Sequence, residues 1–258
     1  MLVVMSNEHF DLSGRRALVT GASRGIGRAI AFGLASAGAD VALAARDKER
    51  LTEIAVGIRD LGQNACVVPL DVSKLDTVGP AIDAAAAGLG GLDVLVNNAG
   101  VNGPGGFDVM DAREFDRVLD TNFGGVLFAC EAARPYLADS ENSVIINMGS
   151  IAATKGVDIY GASKAAVHSM TRGMSREFAV DGIRCVAVAP GQVETDMTAH
   201  VRADPERLQQ MLAHTARGRV ATPEEIAATV VYLASPAADF VSGAVLAIDG
   251  GRDFFSVQ

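Results

Sequence analysis

A chain of 258 residues, 49% of them hydrophobic, has the length of one large α/β unit and ample apolar material for a buried core. Its formal net charge of −9 weighs against nucleic acid as a partner, because phosphate binding needs basic patches, and no apolar run reaches the ~18 residues that suggest a membrane span. The start, Met1-Leu2-Val3-Val4-Met5, lacks a signal peptide's basic region, longer apolar stretch and cleavage site, so a soluble cytoplasmic protein is expected, with 1–11 an N-terminal extension. Cys66, Cys130 and Cys185 are odd in number, lie in apolar stretches and show no metal-ligand spacing. They read as buried thiols, and no metal site is expected.

In chain order, short runs rich in β-branched residues predict seven parallel strands over 16–20, 40–44, 65–70, 92–96, 143–147, 183–188 and 244–248. Helical patterns lie between them over 26–37, 48–61, 74–88, 112–138, 160–181 and 223–235. Apolar strands alternating with helices predict a doubly wound α/β fold with helices on both faces of a parallel sheet. No linker, repeat or low-complexity tract interrupts the pattern, so residues 1–258 are expected to form one domain, with the long irregular stretch near 192–220 a lid within it.

The first strand runs into Gly21-Ala22-Ser23-Arg24-Gly25-Ile26-Gly27. Glycines allow close backbone approach, and the free N–H groups of the following helix attract a pyrophosphate. Taken alone, such a turn is as readily a mere tight turn; its place after the first strand favours the phosphate reading. At the end of the second strand, dinucleotide folds that prefer NAD commonly carry an acidic residue, whereas this chain has Ala44-Ala45-Arg46 with Asp47 one step on. Arg24 and Arg46 are suited to flank a 2′-phosphate, which favours NADP(H) and leaves NAD(H) as the alternative, the competing reading of both arginines being solvated surface. Farther along, Tyr160 and Lys164 stand four residues apart and project from one helix face. A cation within about 4–6 Å draws a phenol's pKa toward the range of a general acid or base. Two surface residues on a helix are the plain alternative.

Taken together, the glycine turn, Asn97-Asn98-Ala99-Gly100, Tyr160 with Lys164, Pro190-Gly191 with Thr195, and Asp249-Gly250-Gly251 occur in the order that marks the short-chain dehydrogenase/reductase family. The chain resembles that family in its single-domain form from about Leu12 to Gly251. The resemblance implies a seven-stranded sheet of order 3-2-1-4-5-6-7 and a catalytic tetrad of Asn122, Ser150, Tyr160 and Lys164. Tyr160 would exchange the proton, Ser150 would steady the substrate oxygen, Lys164 would lower the tyrosine pKa and bind the nicotinamide ribose, and Asn122 would hold a water linking Lys164 to solvent. The cofactor would lie along Gly21, Ser23, Arg24, Gly25, Ile26, Gly27, Arg46, Asp71, Val72, Asn98, Ala99, Gly100, Tyr160, Lys164, Pro190, Gly191, Val193 and Thr195. For Asp71, helix capping is the competing reading.

The ten-residue step from Ser150 to Tyr160 is shorter than the family's usual one, through Lys155-Gly156-Val157-Asp158-Ile159, and implies a pocket open to a bulkier or more polar substrate. His200, Arg202, Arg207, His214 and Arg217 in the lid suit a carboxylate-bearing or polyol substrate, or form a solvated face. The expected activity is NADP(H)-dependent interconversion of a secondary alcohol and a ketone, with a small-molecule substrate such as a sugar acid. The alternative is a 3-oxoacyl-thioester reductase, for which Arg172 and Arg176 would serve docking; a non-catalytic NADP-sensing protein would have no need of the Tyr160/Lys164 pair. The family's habit also implies a homotetramer through the helices over 112–138 and 160–181 and the C-terminal strand region, with Phe254-Phe255 adding apolar contact.

Overall fold

Alternation along each strand sends successive side chains to opposite faces, and here both faces are apolar. In β1 (Arg16–Thr20), Ala17 and Val19 enter one core while Leu18 enters the other; Val94 and Val96 against Leu95 in β4 (Val94–Asn97), and Val186 and Val188 against Cys185 in β6 (Arg184–Pro190), repeat the pattern. The remaining strands are β2 (Asp40–Ala45), β3 (Ala65–Pro69), β5 (Val144–Met148) and β7 (Val245–Ile248). All seven pair in parallel in the order β3-β2-β1-β4-β5-β6-β7, as expected. The computed structural model describes residues 7–106, 108–154 and 158–252, without the side chains of Asn7, Glu8 and His200. Met1–Met5, Lys155-Gly156-Val157, Phe254-Phe255 and the His200 side chain therefore lie outside the described residues.

One face is covered by α1 (Gly25–Ser36), α2 (Lys48–Asp60) and α9 (Pro223–Ala234), through Ile30, Leu34, Leu51, Ile54, Ile58, Ile226, Val230 and Leu233. The other is covered by α3 (Leu75–Leu89), α5 (Gly125–Ala138) and α6 (Ile159–Glu177), with Phe178 fully buried just beyond α6. Each large apolar side chain so buried contributes about 1.5–3 kcal/mol relative to exposure. At the amino end of the sheet Asp93 accepts from the Arg16 backbone at 2.7 Å and from its guanidinium at 2.9 and 2.7 Å, which locks β1 to the turn before β4. Strand order reverses between β1 and β4, so their carboxyl ends frame the crevice where such sheets bind ligands.

The structure departs from the sequence expectation in three helical stretches and at one cysteine. The helix expected over 112–138 is divided into α4 (Ala112–Leu119) and α5 by a π turn at Asp120–Gly124, closed by the Gly125 N–H donating to the Asp120 carbonyl. The helix expected to run to 181 tightens into a 3-10 turn at Phe178–Asp181. The stretch after β6 holds two short helices, α7 (Ala199–Arg202) and α8 (Pro205–Ala213), the latter started by Asp204 accepting from the Glu206 and Arg207 N–H groups. Cys130 and Cys185 are buried free thiols, whereas Cys66 is only half-buried. Burial pushes the Cys185 thiol up to about 12. Among the described residues no helix is long and apolar enough to cross a membrane.

Candidate active site

The glycine turn is built so that backbone can replace side chain. Gly21 has φ of +66°, and a Cβ there would fall 2.9 Å from Ala99 Cα; a Cβ on Gly27 would fall 2.3 Å from the Gly21 carbonyl oxygen. Asn98 holds the arrangement from the neighbouring strand, its amide donating to the carbonyls of Thr20 at 2.9 Å and Gly21 at 3.2 Å. Thr20 Oγ1 in turn accepts from the N–H groups of Asn98 and Ala99. Arg24 precedes α1 without a side-chain cap, and the first turn of α1 carries no acidic residue. The positive end of that helix is thus left for an anion, and the turn fits a dinucleotide's pyrophosphate. Ile26 packs against the core below. Thr195 closes the other side: a Cβ on Gly25 would lie 3.3 Å from its Cγ2. Pro190 ends β6 in register with Ile248, Gly191 leaves no Cβ room against Asp249, and Val193 bridges to Ala221.

Past the end of β2, Asp47 is occupied as the cap of α2, accepting from Arg50 N–H at 3.1 Å and pairing with its guanidinium. Arg46 is exposed, half-buried Ser23 borders a crevice of about 550 Å³ beside Arg24, and Arg24 pairs with Asp196 at 3.2 Å. Asp71 accepts from the Ser73 N–H and hydroxyl, a turn of its own, while Val72 is buried.

The sequence-predicted catalytic residues come together at the carboxyl ends of β4 and β5. Ser150 lies on the phenol's side of the site, where its side chain acts to lower the Tyr160 pKa. Asp158 starts α6 by accepting from Gly161 N–H at 2.8 Å, which fixes where Tyr160 projects. Lys164 is 4% exposed; its ammonium donates to the Met148 carbonyl at 2.7 Å and lies 5.9 Å from the Tyr160 ring centroid. Burial lowers the Lys164 pKa to about 8. The phenol does not follow the expected direction: burial raises the Tyr160 pKa above its ordinary value, opposed by the Ser150 side chain, and Asp158 raises it further. Desolvation of the phenolate is the largest of these causes. Asn122, fully buried on the π turn, accepts from Val101 N–H at 2.8 Å and donates to the Val101 carbonyl and Ser163 Oγ. A Cβ on Gly100 would lie 3.3 Å from Asn122 Oδ1 and 3.5 Å from Lys164 Nζ, so both groups border one small space over that glycine.

Two features of the site carry no sequence signal of their own. The Met148 carbonyl anchors Lys164, and His168 accepts the Ser150 N–H at 3.4 Å. Tyr160, Lys164 and His168 follow one another at four-residue steps along α6.

A glycine turn suited to a pyrophosphate, beside a buried lysine and the Ser150 and Tyr160 side chains, is the arrangement of an NAD(P)-dependent oxidoreductase acting on CH–OH groups. Residues 21–253 match the family described as Enoyl-(Acyl carrier protein) reductase. The chain belongs to the classical short-chain dehydrogenase/reductase family. It is 36% identical over 245 residues to gluconate 5-dehydrogenase of Gluconobacter oxydans, covering 94% of this chain and 96% of the relative. The Pseudomonas aeruginosa RhlG/NADP active-site complex superposes with a TM-score of 0.90 at 34% identity, over 97% of this chain and 100% of that one. A 7α-hydroxysteroid dehydrogenase with NADH and a 7-oxo bile acid conjugate gives 0.92 at 33% identity, over 96% and 98% of the two chains.

Proposed function

We propose that the protein is an NADP(H)-dependent reductase and dehydrogenase of a small polar hydroxy compound, a sugar acid foremost, with Tyr160 as the general acid and base. The observation that carries the reading is buried Lys164 beside the Tyr160 ring, bordering Gly100 next to the uncapped glycine turn. In the reducing direction the Tyr160 hydroxyl gives its proton to the developing alkoxide while Ser150 hydrogen-bonds the same oxygen; oxidation reverses both steps. When bound, the nicotinamide supplies or accepts the hydride. Lys164 places a cation beside the phenol and would hold the cofactor's ribose; Asn122 and Lys164 border the space over Gly100 suited to a proton-relaying water. Thr195 would meet the carboxamide, and Gly21, Ser23, Gly25, Ile26, Gly27, Asp71, Val72, Asn98, Ala99, Gly100, Pro190, Gly191 and Val193 would line the rest of the cofactor path.

Preference for the 2′-phosphate is supported by exposed Arg46 and Arg24 and by Asp47 being used as a helix cap. The sugar-acid preference is supported by the gluconate relative. We further propose one catalytic domain over 1–258, with about 192–220 as its substrate lid, acting as a cytoplasmic homotetramer.

The test follows NADPH and NADH oxidation with a panel of keto-sugar acids, simple ketones and 3-oxoacyl thioesters. Fastest turnover of a keto-acid with NADPH is expected, and Tyr160→Phe should lower it by about 10²–10⁴-fold. A thioester as best substrate would overturn the sugar-acid reading, and full activity of the phenylalanine variant would overturn the proton donor.

A further inference from the structure

Gly149 and Ser150 form the step that leaves β5 for the site, and that step is held from two sides. The Gly149 N–H donates to the Val188 carbonyl at 2.7 Å, tying it to β6. The Ser150 N–H donates to His168 Nε2 at 3.4 Å, tying it to α6, one turn past Lys164 and two past Tyr160. The imidazole is 7% exposed and fills the place of a side chain: a Cβ on Gly149 would lie 2.1 Å from Nε2 and 2.6 Å from Cδ2. Glycine is required at 149 because the histidine is there, not because of backbone conformation. To accept a hydrogen bond at Nε2 the ring must be neutral with its proton on Nδ1. Burial, then Arg172 and Lys164, hold it neutral by lowering its pKa to about 4.

We propose that His168 is a positioning residue that sets the spacing of the Ser150 and Tyr160 hydroxyls, by tying the serine's backbone to the helix that carries the tyrosine. This rests on the reading that those hydroxyls share the substrate oxygen. A short connection from Ser150 to Tyr160 leaves few residues to define that spacing, and the imidazole supplies a second link of fixed length. Misplacement of a reacting group by about 1 Å costs on the order of 10²-fold in rate.

The experiment compares His168→Leu, which fills similar volume without an acceptor, with His168→Gln, whose amide oxygen can reach the position of Nε2. On the best substrate of the panel above, the leucine variant is expected to lose at least about tenfold in kcat with KM for NADPH within about twofold, and the glutamine variant to recover to within about threefold of the parent. Equal damage in both, or full kcat in the leucine variant, would overturn the proposal. A second measurement needs no substrate: long-range ¹⁵N–¹H spectra of the intact protein at pH 7 should show His168 with its proton on Nδ1. An Nε2–H tautomer or an imidazolium would sink the link even if the variants fail to fold. If no carbonyl of the panel is turned over, the functional reading fails while the tautomer still decides the hydrogen bond.

Discussion

The half of the site built on β5 and α6 and the segment that follows β6 are held by opposite means. Beneath the first runs a buried chain: Asn97 donates to Asn147 Oδ1 at 2.9 Å, Asn147 to Thr171 Oγ1 at 3.0 Å, and Thr171 to the Val167 carbonyl at 2.8 Å. All three polar side chains are at most 3% exposed, so each depends on its partner. Over 191–222 the longer-range side-chain contacts are instead ion pairs at or near the surface, Arg202 with Glu194, Arg207 with Asp204 and Arg219 with Glu225, beside short-range hydrogen bonds such as Thr198 Oγ1 to the Val193 carbonyl. Such pairs are individually worth at most about 1 kcal/mol and are screened by salt. The difference teaches how one fold can fix the β5–α6 half through buried partners while leaving the segment after β6 cheaper to rearrange.

The comparison is broken most severely at Lys164. Lys164→Met is expected to lower turnover by about 10²–10⁴-fold, yet to raise the melting temperature of the cofactor-free protein at pH 7. Its folded pKa of about 8 lies below the ordinary 10.5, so between those values the unfolded chain binds more protons and native stability rises with pH. The burial penalty is fully present below pH 8, so the variant's gain should be largest there and fade toward pH 10.5. Melting curves across that range check it, and a gain that grows with pH would contradict it.

Next in size, Asn147→Ala should cost about 2–3 kcal/mol, because it removes the oxygen that the Asn97 amide donates to and the N–H that Thr171 Oγ1 accepts, both in the core. Denaturant titration measures this; a loss below 1 kcal/mol would mean the buried chain is not what stiffens this half. On the other side, Glu194→Gln should change stability by less than about 1 kcal/mol while altering KM more than kcat. A large stability loss there would erase the contrast between the two halves. The smallest effect is expected from Asp196→Asn, which frees Arg24 from its surface partner: NADPH should bind about two- to threefold tighter with NADH unchanged, as fluorescence titration of both cofactors would show.

Much of this was legible beforehand. The strands at 16–20 and 40–44 begin where the structure begins them, because alternating apolar runs bounded by turn residues need no distant information. The glycine turn was readable for the same local reason, and Tyr160 with Lys164 by helical spacing. The π turn at Asp120–Gly124 was not, since a helical pattern over 112–138 looks the same whether one residue is accommodated by an i to i+5 bond or not. Nor was the use of Asp47, whose carboxylate might serve a ribose or a helix start by sequence, and serves Arg50 N–H in the fold.

What the sequence by itself determined is the layer plan, the glycine turn after β1 and the Tyr160/Lys164 spacing on one helix face, each encoded within a few residues by period, glycine content and spacing. Tertiary structure decided how those groups behave. The partners of Asn97, Asn147 and Ser150 lie 18 to 50 residues away, and only packing brings them together. It also reversed the expected direction of the Tyr160 pKa. A sequence shows the neighbouring cation, but the desolvation that opposes ionisation comes from every element packed around the phenol.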